Sequence, residues 1–431
     1  MRAWIVWAAG LLAYIVAVLD RTTFGVSGLD AADRFRASPG VLSWFVVLQI
    51  IVYAAMQVPA GMLLDRFGPK VMISTGVAVI STGQLALGLT HVLPMAIGAY
   101  AMVGLGDALI FISVIRLLPN WFEPKRVPLL TQLTGICGQL GQVLSAVPFL
   151  AILLHRGWTA AYVSAAALGG LAMLLMLALG RDAPPGSRVR PEPRSLRAAL
   201  ADVKAVWGRP GTRLGFFTHM GTQSSITVFS LMWGVPYLTA AQGMPVKVAG
   251  ALLTVSVATF IVFGVLIGVI SGRYPRRRPT MVLTMIGVNA LIWTSVLALP
   301  FRAPAWLLTL LVVLISIGGP VSILAFDFAR TFNPPAALGT AQGMVNTGGF
   351  IASLLMMQAM GIIIGAAGGY SFGAFRLAWT VQYAIWAVAA AGVATSTRQA
   401  RFSERLGEQG GRIRTTPTSP VLDGDDGHVS I

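Results

Sequence analysis

The sequence predicts an all-α membrane protein of twelve transmembrane helices in two six-helix halves, and three observations lead there. Of its 431 residues 56% are hydrophobic and 11% charged, with a mean hydropathy of +0.76, whereas soluble domains carry about 25% charged residues. Apolar runs near 20 residues recur along the whole chain, each long enough to cross a bilayer core. A ten-residue pattern from the first half returns in the second at a constant offset. A water-soluble globule is excluded.

The opening MRAWIVWAAGLLAYIVAV has the arginine and apolar core of a signal peptide, but its apolar character outruns such a core and it reads as an uncleaved first span. Runs broken by charged, Gly/Pro or amide clusters place further spans near 41–63, 71–90, 94–118, 127–154 and 157–180, after a first at 4–29. These make an N-terminal half, 1–180. The polar stretch from Arg181 to Arg213 is a linker, with an amphipathic helix around Ser195 to Trp207. A C-terminal half, 214–396, follows with spans near 214–239, 246–271, 279–300, 304–329, 336–365 and 371–396. The polar, glycine-rich tail 397–431 reads as disordered.

The net charge of +16 would suggest nucleic acid in a soluble protein. With the N-terminus in the cytoplasm, however, 23 Lys/Arg fall inside and six outside: Arg34, Arg36, Arg156, Lys247, Arg302 and Arg376. Arg21 and Arg116 remain within spans. This is the positive-inside asymmetry of a multi-pass protein of the cytoplasmic membrane with both termini in the cytoplasm, and no nucleic-acid partner is needed. One cysteine, Cys137, and four scattered histidines provide neither a disulfide framework nor a metal-ligand set. No P-loop is present, which argues against ATP-driven transport or enzymology.

GMLLDRFGPK, from Gly61 to Lys70, aligns with GVISGRYPRR, from 268 to 277, with glycine first, arginine sixth and an aromatic seventh, at an offset of 207. Two halves so related form the parallel repeat of a rocking transporter, whose substrate site lies between them near the bilayer midplane. GMLLDRFGPK resembles the loop signature of the major facilitator superfamily, carried here by Gly61, Asp65, Arg66, Gly68 and Lys70. Asp65 and Arg66 sit where two cytoplasmic helix ends meet, and a charge pair there can clasp that side shut. In the second copy Gly272 stands in place of the aspartate.

Three further features resemble one branch, the anion:cation symporters of sugar acids and organic anions: the Asp20-Arg21 pair in span 1, Tyr53 and Gln57 ahead of the loop signature, and GLGDALIFISVIRLLPNWFEPKR in span 4. That branch more often has glutamate at the Asp107 position.

Ionisable groups at mid-bilayer cost roughly 2.5–3.5 kcal/mol each, so Asp20, Asp107 and Asp327 are functional suspects. Asp107 lies about 20 Å along span 4, near the midplane, where a carboxyl can exchange a proton. Arg21 reads as the anion clamp, because a guanidinium offers bidentate donors to a carboxylate. Asp20, about 100° round the helix from it, is a second proton carrier or the partner that orients Arg21. Tyr53, Gln139 and Gln142 can complete a hydrogen-bonding shell around a hydroxylated anion, or simply bond between helices. Arg116 lies half a turn away from Asp107 and about 13.5 Å further inward, which suits snorkelling or the Asp65 clasp. Asp327 and Arg330 read as a helix-end pair, and the orientations of His219 and Asn346 are open. The glycines at 135, 138 and 141 read as close-packing positions.

The expectation is a monomeric secondary transporter importing a small organic anion with protons by alternating access, using the proton as coupling ion and no cofactor or metal. Its partners are the anionic substrate, protons and the lipid bilayer. The alternatives are a proton-coupled drug or metabolite efflux antiporter, which needs no arginine clamp, and a transport-inactive sensor on the same scaffold.

Overall fold

The structure, a computed structural model, describes residues 1–37, 39–186 and 203–414. Among these, nine helical stretches are long and apolar enough to cross a membrane. Two of the nine hold two spans each: Val47–Leu89 bends at Gly68 and Val127–Leu179 at Gly157. Gly68 and Gly157 have φ of +79° and +81°, a conformation that a side chain disfavours. Span 7 is the stretch 210–241, more polar than the rest, with Thr218, His219, Thr222, Gln223, Ser224 and Ser225. It passes from the α-helix Pro210–Val228 into π-helical turns at Phe229–Trp233 and Tyr237–Ala241. A third π turn, Ser145–Phe149, contains Pro148, which lacks a donor for the regular ladder. Twelve spans result.

Span 7 starts at Pro210, inside the stretch 181–213 read as linker, and the two ends of the chain also differ from the boundaries read in the sequence. Span 1, Arg2–Val26, stops at Ser27 rather than 29, and a short helix, Gly28–Phe35, follows. Arg34 of that helix donates to the carbonyls of Gly88 and Thr90, fastening it to the end of span 3. At the other terminus the helix Val381–Arg414 runs well past 396. The continuation RQARFSERL is rich in good helix formers, which the reading of a disordered tail from 397 undervalued. Linker residues 187–202, including the start of the expected amphipathic helix at Ser195, and tail residues 415–431 lie outside the described residues.

Each half has its own apolar core. One cluster draws on residues from Val6 to Met176, another on residues from Leu214 to Val393. A third is shared: Leu64, Leu109, Leu118 and Leu130 pack with Phe326, Leu338, Met344 and Val345. These shared residues lie toward the end of the molecule that carries the N-terminus, the linker and the Arg273–Arg278 loop, here called the basic end.

Candidate functional site

The halves touch at the basic end through backbone. A Cβ on Gly61 or on Gly343 would collide with the carbonyl oxygen of Gly339 or Gln57 respectively, so glycine is what lets spans 2 and 11 approach. Asp65 closes this joint: its Oδ1 accepts from the Gly339 N–H at 2.7 Å, and its Oδ2 accepts from the Thr340 N–H at 2.7 Å and the Thr340 hydroxyl at 2.8 Å. Gly339 and Thr340 belong to the first turn of the helix Leu338–Ala366, whose free N–H groups and dipole suit an anion. Burial pushes the Asp65 carboxyl above the ordinary carboxylate range, and these hydrogen bonds pull it partway back. Arg116 adds a second tie, donating to the Pro335 carbonyl at 2.9 Å and to Asn120.

The expected Asp65–Arg66 charge pair is corrected here. Arg66 packs over the Phe67 ring instead, 5.1 Å from its centroid, because the carboxylate has turned toward span 11. Gly68 and Lys70 work inside the N-terminal half rather than across the joint. The Lys70 N–H donates to Asp182 at 2.6 Å and its ammonium to the Leu177 carbonyl at 2.7 Å, tying the 2–3 turn to the end of span 6. A Cβ on Gly68 would press on the Asp182 carboxylate.

Deeper in, Arg21 and Asp107 form an ion pair at 3.1 Å, with side-chain exposures of 28% and 1%. The guanidinium is therefore open to the cleft while its partner is sealed behind it. The second oxygen of Asp107 has no hydrogen-bond partner. Tyr14 and Tyr53 stand beside the guanidinium, and the Tyr100 hydroxyl donates to the Arg21 carbonyl at 2.7 Å. Asp20 turns the other way, into the N-terminal half. It is fully buried, neither of its carboxylate oxygens is hydrogen-bonded, and Gln84 donates to its carbonyl rather than to its side chain.

Across the cleft the structure fixes the two orientations left open. The Asn346 amide donates to the Gln57 side chain at 2.7 Å and to the Tyr53 hydroxyl at 3.2 Å, joining spans 11 and 2. Tyr53 also meets the Phe350 ring at 4.6 Å. His219 contacts the Ser322 carbonyl at 3.3 Å through Nδ1, leaving Nε2 buried and without a partner. An aromatic chain, Tyr14 to Phe111 to Phe326 to His219, spans the halves with centroid separations of 5.1, 5.4 and 5.4 Å. Both Tyr14 and Phe350 were missed in the sequence: Tyr14 has the same hydroxyl as Tyr53 and lies seven residues, two turns, before Arg21, a spacing that could have found it, whereas Phe350 carries no polar signal.

Gln139 and Gln142 do not reach the ion pair. They follow Gly135 at i+4 and i+7 and so share its face, which turns toward Ile323 and Phe260 of the C-terminal half. Gln139 is half-buried and Gln142 exposed. The other fifth-span glycines pack as expected, Gly138 on Tyr14 and Gly141 on Val18 and Leu19. Asp327 pairs with Arg330 at 3.0 Å and also with Arg278 at 3.5 Å. Among the described residues no group of three or more His, Cys, Asp or Glu gathers as a metal site. The Asp65 and Arg116 hydrogen bonds hold span 11 and the 10–11 turn against the N-terminal half, so the halves are closed on one another at the basic end.

The fold has known relatives. Residues 10–357 match the model of the Major Facilitator Superfamily. The "Probable galactarate/D-glucarate transporter GudP" of Escherichia coli is 22% identical over 383 residues, 82% of this chain and 85% of that protein. The "Probable sulfoacetate transporter SauU" of Cupriavidus necator is 25% identical over 388 residues, 83% and 86% respectively. Among solved structures, the proton:xylose symporter XylE superposes with a TM-score of 0.67 at 14% identity, covering 90% of this chain and 94% of that one, which speaks to fold alone.

Proposed function

Because the chain belongs to the major facilitator superfamily, and is thus a multi-pass membrane transporter rather than an enzyme, we propose that it imports a small organic anion of the sugar-acid or related carboxylate class together with protons. The observation that carries this reading is the Arg21–Asp107 pair, one member facing the cleft and the other buried behind it. An incoming carboxylate and Asp107 compete for the same guanidinium. Protonation of Asp107 frees Arg21 to hold the substrate bidentately, and loss of that proton returns Asp107 to Arg21 and expels the cargo. Proton and anion thereby assist each other's binding, as linkage requires.

The fully buried Asp20 is a second proton carrier in this scheme. Tyr53 and the cleft-facing amides Gln139 and Gln142 supply hydroxyl-matching hydrogen bonds. The Asp65, Arg116 and Gly61 contacts form the cytoplasmic gate, the basic end faces the cytoplasm of a bacterial inner membrane, and the carrier works as a monomer. Similarity to proteins named for galactarate, glucarate and sulfoacetate transport supports an anionic cargo. The test is uptake of labelled galactarate, sulfoacetate and a neutral sugar into proteoliposomes under an imposed inward pH gradient. Anion accumulation abolished by a protonophore is the expected result. Gradient-independent anion uptake, or proton-driven expulsion of lipophilic cations instead, overturns it.

A further inference from the structure

Spans 7 and 12 meet at the basic end beside a cavity of about 540 Å³ lined by Gly208, Pro210, Arg213, Arg398, Gln399 and Phe402. It is an open surface pocket, and the end of the apolar run puts it at the expected edge of the hydrocarbon. Arg398 stands two residues beyond the apolar span that closes at Ser396, about 3 Å along the helix. Two guanidiniums bound it, and among the residues whose side chains are described, which stop at Phe402 on span 12, neither has a carboxylate at ion-pair distance. Arg213 gives one N–H to the Gly208 carbonyl, while its Nε is buried with no acceptor. The mouth is flanked by rings that a soluble surface would hide: Phe402 is 64% exposed and Trp207 39%. Lys204 and Arg401 are exposed nearby in sequence.

Two guanidiniums side by side, one half-buried with an unsatisfied Nε and one exposed, suit an anion, and a phosphate offers acceptors in the geometry that guanidinium prefers. The start of the helix Pro210–Val228 adds its dipole in the same sense. A free phosphate would account for the arginines but not for the exposed rings. Aromatic side chains at the edge of the hydrocarbon, next to basic groups, match the junction of headgroup and acyl chain. We propose that this cavity binds the phosphate headgroup of an anionic phospholipid, with Arg213 and Arg398 on the phosphate and Phe402 and Trp207 against the proximal chain.

The test uses the full chain in nanodiscs of phosphatidylcholine alone or mixed with phosphatidylglycerol, with thermal unfolding and lipid retention in native mass spectrometry as readouts. Phosphatidylglycerol is expected to raise the melting temperature. The double variant Arg213→Gln/Arg398→Gln is expected to lose that gain and to hold the lipid about 30-fold less tightly, a factor of about five per arginine. Arg276→Gln/Arg277→Gln, which removes equal charge from another loop of the same end, should keep it. Arg398→Gln alone, at an exposed position, guards against a folding defect and should lose about fivefold. Retention unchanged in both Arg398 variants overturns the proposal, as does full stabilisation by glycerol 3-phosphate in phosphatidylcholine discs, which marks a soluble-phosphate site.

Discussion

Replacing Asp65 with asparagine tests the joint between spans 2 and 11. The carboxylate satisfies three donors with two oxygens, one on Gly339 and two on Thr340. An amide of the same shape keeps one oxygen. Placed best, it retains both Thr340 bonds and sets its NH2 against the Gly339 N–H, which loses its acceptor. An unsatisfied buried donor costs about 1–3 kcal/mol, so the equilibrium between shut and open basic ends should move about 5- to 140-fold toward open. The estimate counts bonds rather than charge, since burial has already weakened the preference for the ionised form. Spin labels at Arg126→Cys and Arg276→Cys, in a Cys137→Ser background, would report the separation of the two basic-end loops. A long-distance population that grows in Asp65→Asn and grows further in Asp65→Ala is expected. Distance distributions identical to the parent in both variants would show that Asp65 does not hold the basic end shut.

Three other outcomes follow from the same geometry. Gly343→Val should drive the basic end open more strongly than Asp65→Asn, because its Cβ meets the Gln57 carbonyl and backbone cannot step aside; the same label pair reads it. Arg21→Lys should weaken carboxylate binding by about tenfold in calorimetry, a point charge replacing a bidentate fork, and unchanged affinity would place the anion elsewhere. Asp107→Asn should abolish proton-driven accumulation in proteoliposomes yet leave counterflow exchange intact, whereas intact accumulation removes Asp107 from coupling.

The spans and the two halves were legible because hydrocarbon thickness imposes a length on every helix and a repeated turn signature marks the duplication. Arg21 and Asp107 stood out for a related reason, the cost of charge within the bilayer. Their pairing did not, since contact between spans 1 and 4 depends on how each helix is rotated about its axis, and a helix apolar on most faces does not declare that rotation. The same ambiguity hid Asn346 and His219, and left Gln139 and Gln142 assigned to a site whose charged centre they do not touch. Asp65 was found, but its partner was mistaken: two of the three groups it binds are peptide N–H donors at a helix start, which leave no residue type to recognise, and the third is the Thr340 hydroxyl. The early stop at Ser27 was missed because the next helix starts at once, at Gly28, with charge first appearing at Asp30.

The apolar cluster common to both halves bears on what the protein does when nothing is bound. Parting them would wet Leu64, Leu130, Phe326, Met344 and their neighbours; even about 100 Å² of such surface costs roughly 2.5 kcal/mol. In the proposed cycle that burial weighs on the side of the conformation seen here, with the basic end shut. Cargo shifts that balance only as far as it binds the alternative conformation more tightly than this one, so recognition in the proposed cycle is a difference between two affinities rather than one.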